Sequence, residues 1–249
     1  PHLGASTTEA QVNVAIQVAE QMSDYLIDGG VSNALNMPSL SAEEAPKIRP
    51  YLALADKIGS LLGQLTDKGV EGISIEVEGA AATLNQKPIT AAVLAGFLRA
   101  HSDSVNLVNA PLIARERGID VREIRHEREG AYHTLLRVSL VTEEGEKSVA
   151  GTLFGEEIPR LVEIFGVKIE ADLSGEMLYF VNEDIPGFIG TLGSSLGDAG
   201  VNIGNFHLGR REGGGEAVVL LSVDAPLAEP VVWKVCNLPG VKRVKVLHF

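Results

Sequence analysis

Between Tyr179 and Asn202 the sequence changes its period twice, and this stretch constrains the fold more than any other. Tyr179, Phe180 and Val181 are aromatic or β-branched, as a strand prefers. Asp184, Pro186 and Gly187 interrupt that strand. The fixed φ of Pro186 suits a first helical turn, and Asp184 is placed to accept from the free N–H groups there. Phe188, Ile189, Leu192 and Leu196 recur at helical spacing, and Gly200 predicts a left-handed stop. A strand opens at Val201. A turn at Gly213-Gly-Gly, a strand over 217–223, a helix over 227–236 and a strand over 241–247 complete the order βαββαβ.

The preceding residues read as α+β. Ser6 and Glu9 have the spacing of a capping box and precede a helix over 8–26. Its apolar residues Val12, Ile16, Val18, Ala19, Met22 and Leu26 fall largely on one face and require a partner surface. Gly29-Gly30 ends it. Pro38 marks the next residues as an extended connector. Ser41 and Glu44 form a second capping box ahead of a helix reaching about Thr66, with Pro46 and Pro50 near its start. A strand follows at 72–79, a helix at 90–101 and a short helix at 112–118. Strands are expected at 119–125, 134–142, 147–153 and 167–171, while 159–165 is of undetermined type. The predicted division is 1–32, 33–175 and 176–249.

Composition narrows the functional classes. A chain of 249 residues is long enough for two small domains, and a net charge of -12 argues against nucleic acid or an anionic membrane as partner. Aromatic residues make up only 5%, so the cores must be mainly aliphatic. The lone cysteine, Cys236, excludes an internal disulfide and points to a reducing compartment, with the cytoplasm expected; its place in an amphipathic helix predicts a buried, inert thiol. No apolar run reaches membrane-spanning length. His101, His126 and His133 lack metal-ligand spacing, so no metal is expected. Glu123, Arg125, His126, Glu127, Arg128 and Glu129 read as a solvated mixed-charge run. No Gly-x-Gly-x-x-Gly follows a strand, so a nucleotide-binding domain is not expected within these residues. The first residue is Pro1, and the chain is read as a fragment.

Two motifs at the right spacing, Asp184-Ile-Pro-Gly before the helix and Ala199-Gly-Val-Asn-Ile after it, resemble the ACT domain, a small-molecule sensor attached to metabolic enzymes. Pro1-His-Leu-Gly-Ala-Ser-Thr resembles the catalytic histidine loop of the D-isomer-specific 2-hydroxyacid dehydrogenases. That resemblance implies that His2 is the acid/base, a role its near-neutral pKa suits, and that Gly4 and Ala5 touch NAD. Val108-Asn-Ala-Pro-Leu-Ile-Ala-Arg-Glu-Arg-Gly-Ile and Ala150-Gly-Thr-Leu-Phe-Gly resemble the intervening domain of the long-form D-3-phosphoglycerate dehydrogenases. This family oxidises 3-phosphoglycerate to 3-phosphohydroxypyruvate with NAD, opening L-serine biosynthesis. The resemblance implies a homo-oligomer assembled through both domains, with no activity in this chain alone.

It also implies L-serine as effector, held by Asn182, Asp184 and Asn202 where two sensor domains meet. Asp184 would accept from the ammonium and the amides would donate to the carboxylate, with help from the helix N–H groups near Pro186. The plainer roles are a helix cap for Asp184 and a turn for Asn202. Arg160 and Lys168 stand at basic positions where some relatives hold a substrate-like anion; a further basic position is Asp172 here. The alternative is an amino-acid-binding or oligomerisation module of another metabolic enzyme.

Overall fold

A computed structural model describes residues 6–249 apart from 42, 68, 129, 144 and 212–214. The described residues form an α+β structure with two sheets, as the sequence predicts. The first part runs α1 (Thr8–Asp28), α2 (Ala45–Leu65), β1 (Val70–Gly79), α3 (Gln86–Arg99), α4 (Ala110–Glu116), β2 (Asp120–His126), β3 (Thr134–Thr142), β4 (Gly145–Phe154), β5 (Ile158–Ile164) and β6 (Val167–Ala171). The second runs β7 (Glu176–Glu183), α5 (Phe188–Gly197), β8 (Ile203–Arg210), β9 (Glu216–Val223), α6 (Glu229–Cys236) and β10 (Val241–His248), the βαββαβ order of a ferredoxin-like unit.

The six-stranded sheet has the order β2-β1-β3-β4-β5-β6, with β1 and β2 parallel and every other pair antiparallel. Ile73, Ile75 and Val77 of β1 and Leu136, Val138 and Leu140 of β3 alternate into the core, the period-2 pattern of a half-buried strand. The stretch 159–165, undetermined from sequence, lies almost wholly in strand β5. The core is closed by α2 and α3, which carry Ile58, Leu61, Leu62, Val93 and Leu94. These two helices touch through glycine. A Cβ on Gly59 would lie 2.2 Å from the Val93 carbonyl oxygen, and one on Gly96 would lie 2.2 Å from that of Asp56. Only residues without a side chain permit backbones this close.

The capping box at α2 is present in both directions: Ser41 Oγ accepts from the Glu44 N–H at 3.2 Å, and Glu44 Oε2 accepts from the Ser41 N–H at 3.1 Å. The Ser41 hydroxyl also donates to Glu44 Oε2 at 2.8 Å, and this bond, followed by that from the Ser41 N–H, holds the Glu44 carboxyl below its ordinary pKa. At α1 the cap is Thr7, whose Oγ1 accepts from the Ala10 N–H, rather than Ser6. Gly29 closes α1 in the left-handed conformation, φ 77°. None of the residues of α1 is buried; Val12, Ile16, Val18, Met22 and Leu26 are all exposed.

The four-stranded sheet has the order β10-β7-β9-β8, all antiparallel. Both of its faces are covered, which is why β7 reads as a nearly unbroken apolar run. Leu178, Phe180, Val219 and Leu221 pack with Phe188, Leu192 and Leu196 of α5 and Val235 of α6. Met177, Tyr179, Val218, Leu220 and Leu247 belong instead to the core that contains α2, β5 and β6. Full burial of such side chains is favourable by roughly 1.5–3 kcal/mol each, so five of them together rival the net stability of a typical domain. Polar contacts reinforce the join. Arg243 donates to the Leu65 carbonyl at 2.7 Å, and Gln64 exchanges two hydrogen bonds of 2.9 Å with the His248 backbone. Cys236 is exposed, not buried as its helix pattern implies. Helix α6 is so short that Val235 is the residue it buries, and the next position turns outward.

Candidate ligand cleft at the end of β7

A cleft of about 410 Å³ opens where β7 ends, bounded by Asn182, Asp184, residues 185–190, Leu208 and Arg210. The register explains which side chains meet there. Asn182 of β7 and Arg210 of β8 both pair with Ala217 of β9. The three therefore form one row across the sheet, and residues in such a row share a face. With strands about 4.8 Å apart, the Asn182 and Arg210 backbones stand roughly 10 Å from one another. Ala217, between them, is fully buried and small. Gly187 precedes α5 in the left-handed region, φ 88°, with open space beyond it. The first amides of α5 lack intrahelical acceptors and border the cleft.

Asn182 is 2% exposed. Its Nδ2 donates to the Glu183 carbonyl at 2.7 Å, which fixes the amide orientation, and its Oδ1 has no partner among the described residues. A buried acceptor left in this state costs about 1–3 kcal/mol. Asp184 does not cap α5, which has no side-chain cap. Its Oδ2 instead lies 3.3 Å from Nε of Arg210. Arg210 was not among the residues singled out from the sequence. Its distance from Asp184 along the chain hides a contact that only the β7-β9-β8 register creates.

Asn202 is not brought to this cleft. It precedes β8 at the opposite end from Arg210, and its Nδ2 donates to Asp224 Oδ2 at 2.6 Å. Eight residues of strand separate the two, roughly 25 Å. Arg160 and Lys168 are not joined by any contact described here. Arg160 Nη1 lies 3.4 Å from Asp172 Oδ1, the same oxygen that Lys57 approaches at 3.5 Å, and its guanidinium sits 6.0 Å from the Phe154 ring centre. Lys168 is exposed and in register with Glu163. His2, Gly4 and Ala5 lie outside the described residues. Among the described residues no group of three or more His, Cys, Asp or Glu is arranged to hold a metal, and no helix is long and apolar enough to cross a membrane.

Fold and cleft together define an α+β chain whose second, ferredoxin-like unit carries a small cleft bordered by Asn182, Asp184 and Arg210. Comparison with known proteins is more specific. Residues 47–165 match the D-3-phosphoglycerate dehydrogenase intervening domain. The chain is 39% identical over 248 residues to D-3-phosphoglycerate dehydrogenase of Bacillus subtilis, covering 99% of this chain and 47% of that protein. It is 36% identical over 244 residues to that of Synechocystis, covering 97% and 44%. It is 33% identical over 249 residues to that of Methanocaldococcus jannaschii, covering 100% and 47%. The chain thus spans less than half the length of these relatives. It is related in sequence to the D-3-phosphoglycerate dehydrogenases, over a portion consistent with their carboxy-terminal part.

Proposed function

We propose that this chain is the regulatory portion of an NAD-dependent D-3-phosphoglycerate dehydrogenase, and that the cleft at the end of β7 senses L-serine. The parent enzyme would oxidise 3-phosphoglycerate to 3-phosphohydroxypyruvate, with His2 as acid/base and Gly4 and Ala5 beside the cofactor. Residues 1–32 would be the end of a catalytic region, 33–175 an intervening domain and 176–249 an ACT sensor. The unburied apolar side chains of α1 support this division, since they need a surface that the described residues do not supply.

The observation that carries the sensor reading is the buried, unpaired Oδ1 of Asn182 beside Asp184 in an open cleft. These two acceptors suit an ammonium group, which has three donors and no acceptor. The place of Asn202 fits a paired site. Strand β8 is an edge of its sheet, and an exposed edge invites pairing with a second copy. Two β8 strands paired antiparallel about a two-fold axis would set Asn202 of each copy near Arg210 of the other. Each site would then draw Asn182 and Asp184 from one protomer and Asn202 from its partner.

Calorimetric titration of the chain with L-serine, repeated on Asp184→Ala, tests the reading. Saturable binding that the substitution removes is the expected result. A folded dimeric chain that gives no heat with serine would reduce the unit to an assembly element.

A further inference from the structure

Within the serine-sensor reading, the ligand's carboxylate has amide donors but no charged partner yet assigned. The Asn182 amide is poorly placed to serve: one of its two N–H groups goes to the Glu183 carbonyl at 2.7 Å, and the residue is 2% exposed. The remaining strong donor lining the cleft is Arg210, and the form of its ion pair is informative. Two arginines grip carboxylates with both terminal nitrogens, whereas Arg122 donates to Asp120 through Nε at 2.8 Å. Arg137 reaches the two Glu163 oxygens at 2.6 and 3.3 Å, and Arg99 reaches those of Asp56 at 3.3 and 3.0 Å. Arg210 instead approaches Asp184 through Nε, at 3.3 Å. A guanidinium has five N–H donors in a planar fork, and this contact leaves the terminal pair for another planar anion. The Asp184 side chain is 24% exposed and that of Arg210 is 66% exposed, so the pair lies at the mouth of the cleft rather than beneath it.

We propose that Arg210 is the carboxylate-binding residue of the cleft, and that an α-amino acid enters by exchanging partners with the Asp184–Arg210 ion pair. The carboxylate takes the Arg210 fork. The ammonium takes Asp184 and the unpaired Oδ1 of Asn182. Both resident charges keep a counter-ion throughout, so entry strands neither of them. A ligand with only one of the two charges satisfies one side of the pair and leaves the other facing it unpaired. The site therefore requires an ammonium and a carboxylate on one carbon, and this requirement rests on the amino-acid reading given above.

The test is calorimetry on the full chain with L-serine, ethanolamine, which lacks the carboxylate, and D-glycerate, which lacks the ammonium. The titrations are repeated on Arg210→Gln and Arg210→Lys after their thermal unfolding has been compared with the parent's. A charge-assisted hydrogen bond contributes about 1.5–3 kcal/mol, or roughly 10- to 100-fold in affinity. The parent is expected to prefer serine over both analogues by at least about tenfold. Arg210→Gln is expected to weaken serine by a similar factor and to erase the preference over ethanolamine, while Arg210→Lys keeps part of it. Serine affinity unchanged in Arg210→Gln, with its preference over ethanolamine intact, would overturn the role of Arg210 and leave the sensor standing. A parent chain that binds ethanolamine as tightly as serine overturns it without any variant. A folded parent that binds no amino acid overturns both this inference and the sensor reading.

Discussion

Alanine at position 96 is the sharpest test of how the first core is built. Gly96 stands where α3 crosses α2. A Cβ there would lie 2.2 Å from the Asp56 carbonyl oxygen and 2.8 Å from the Ser60 nitrogen. Non-bonded heavy atoms pack near 3.5 Å, so the helices would have to part by roughly 1 Å. Both obstructing atoms are backbone, and no rotamer change relieves them. Parting the helices also loosens Ala55, Ile58, Val93 and Phe97, all buried at the same seam. Overpacking of this kind costs about 1–3 kcal/mol. The intrinsic preference of alanine over glycine in a helix returns about 1 kcal/mol, and the separation along the seam should outweigh it. The expected net loss is about 1 kcal/mol. Gly193 of α5 supplies the control, because a Cβ there meets nothing within 4 Å. The same substitution at that site should stabilise by about 1 kcal/mol. For a chain of this size 1 kcal/mol corresponds to roughly 2–4 °C in Tm. Gly96→Ala should therefore fall by about 2–4 °C and Gly193→Ala should rise by about 2–4 °C. Urea unfolding followed by circular dichroism checks both, with the m-value unchanged. A Gly96→Ala chain that melts with or above the parent would refute the close-contact account of the α2–α3 seam.

Burial pushes the Tyr179 phenol up to about 12, with nearby Arg243 and Arg211 opposing. The unfolded chain ionises this group near pH 10, so stability is fully present below about pH 10 and is lost as the pH rises towards 12. Tyr179→Phe should flatten that alkaline slope, read as urea midpoint against pH; an unchanged slope would mean that another group titrates. Asp67 pairs with Lys245 at 2.6 Å and Arg243 at 3.1 Å, and these contacts hold its carboxyl below the usual range, the Lys245 hydrogen bond foremost. The contribution is present above the unfolded carboxylate pKa and is lost as the pH falls through the lowered value. Because Asp67 is largely exposed, Asp67→Asn should cost no more than about 1 kcal/mol, and less in high salt; thermal melts at two ionic strengths measure it. Asn182→Leu removes the unpaired buried acceptor. It should leave stability unchanged or raise it by about 1 kcal/mol while abolishing serine binding, and a large loss of stability would show that Oδ1 is satisfied after all.

The elements themselves were largely legible because each has one dominant local cause. Ser41 and Glu44 mark the start of α2, and the reciprocal hydrogen bonds are those the spacing implies. Gly29 and Gly200 stop their segments at positive φ, 77° and 73°. The strand at 158–164 was not legible, because Pro159 and Arg160 break its alternation and a register shift between Leu161 and Glu163 displaces the pattern. The cleft was legible only in part. Asn182 and Asp184 stand beside the helix start, where a motif can be read along the chain. Arg210 reaches them through a sheet register shared with Ala217, and no local pattern carries that information. Along the chain Asp184 offers both a ligand role and a helix cap; α5 has no side-chain cap, and Asp184 instead meets Arg210.

The shared core at Met177, Tyr179, Val218, Leu220 and Leu247 limits how these parts can be recombined. The ferredoxin-like unit looks like a detachable cassette when its sequence is laid out in a line. Grafted onto an unrelated carrier, however, it would arrive with one face of its sheet bare, and the core left behind would be open at β6. Successful transplants should therefore carry residues 45–249 as one piece, or should first convert those five positions to polar residues.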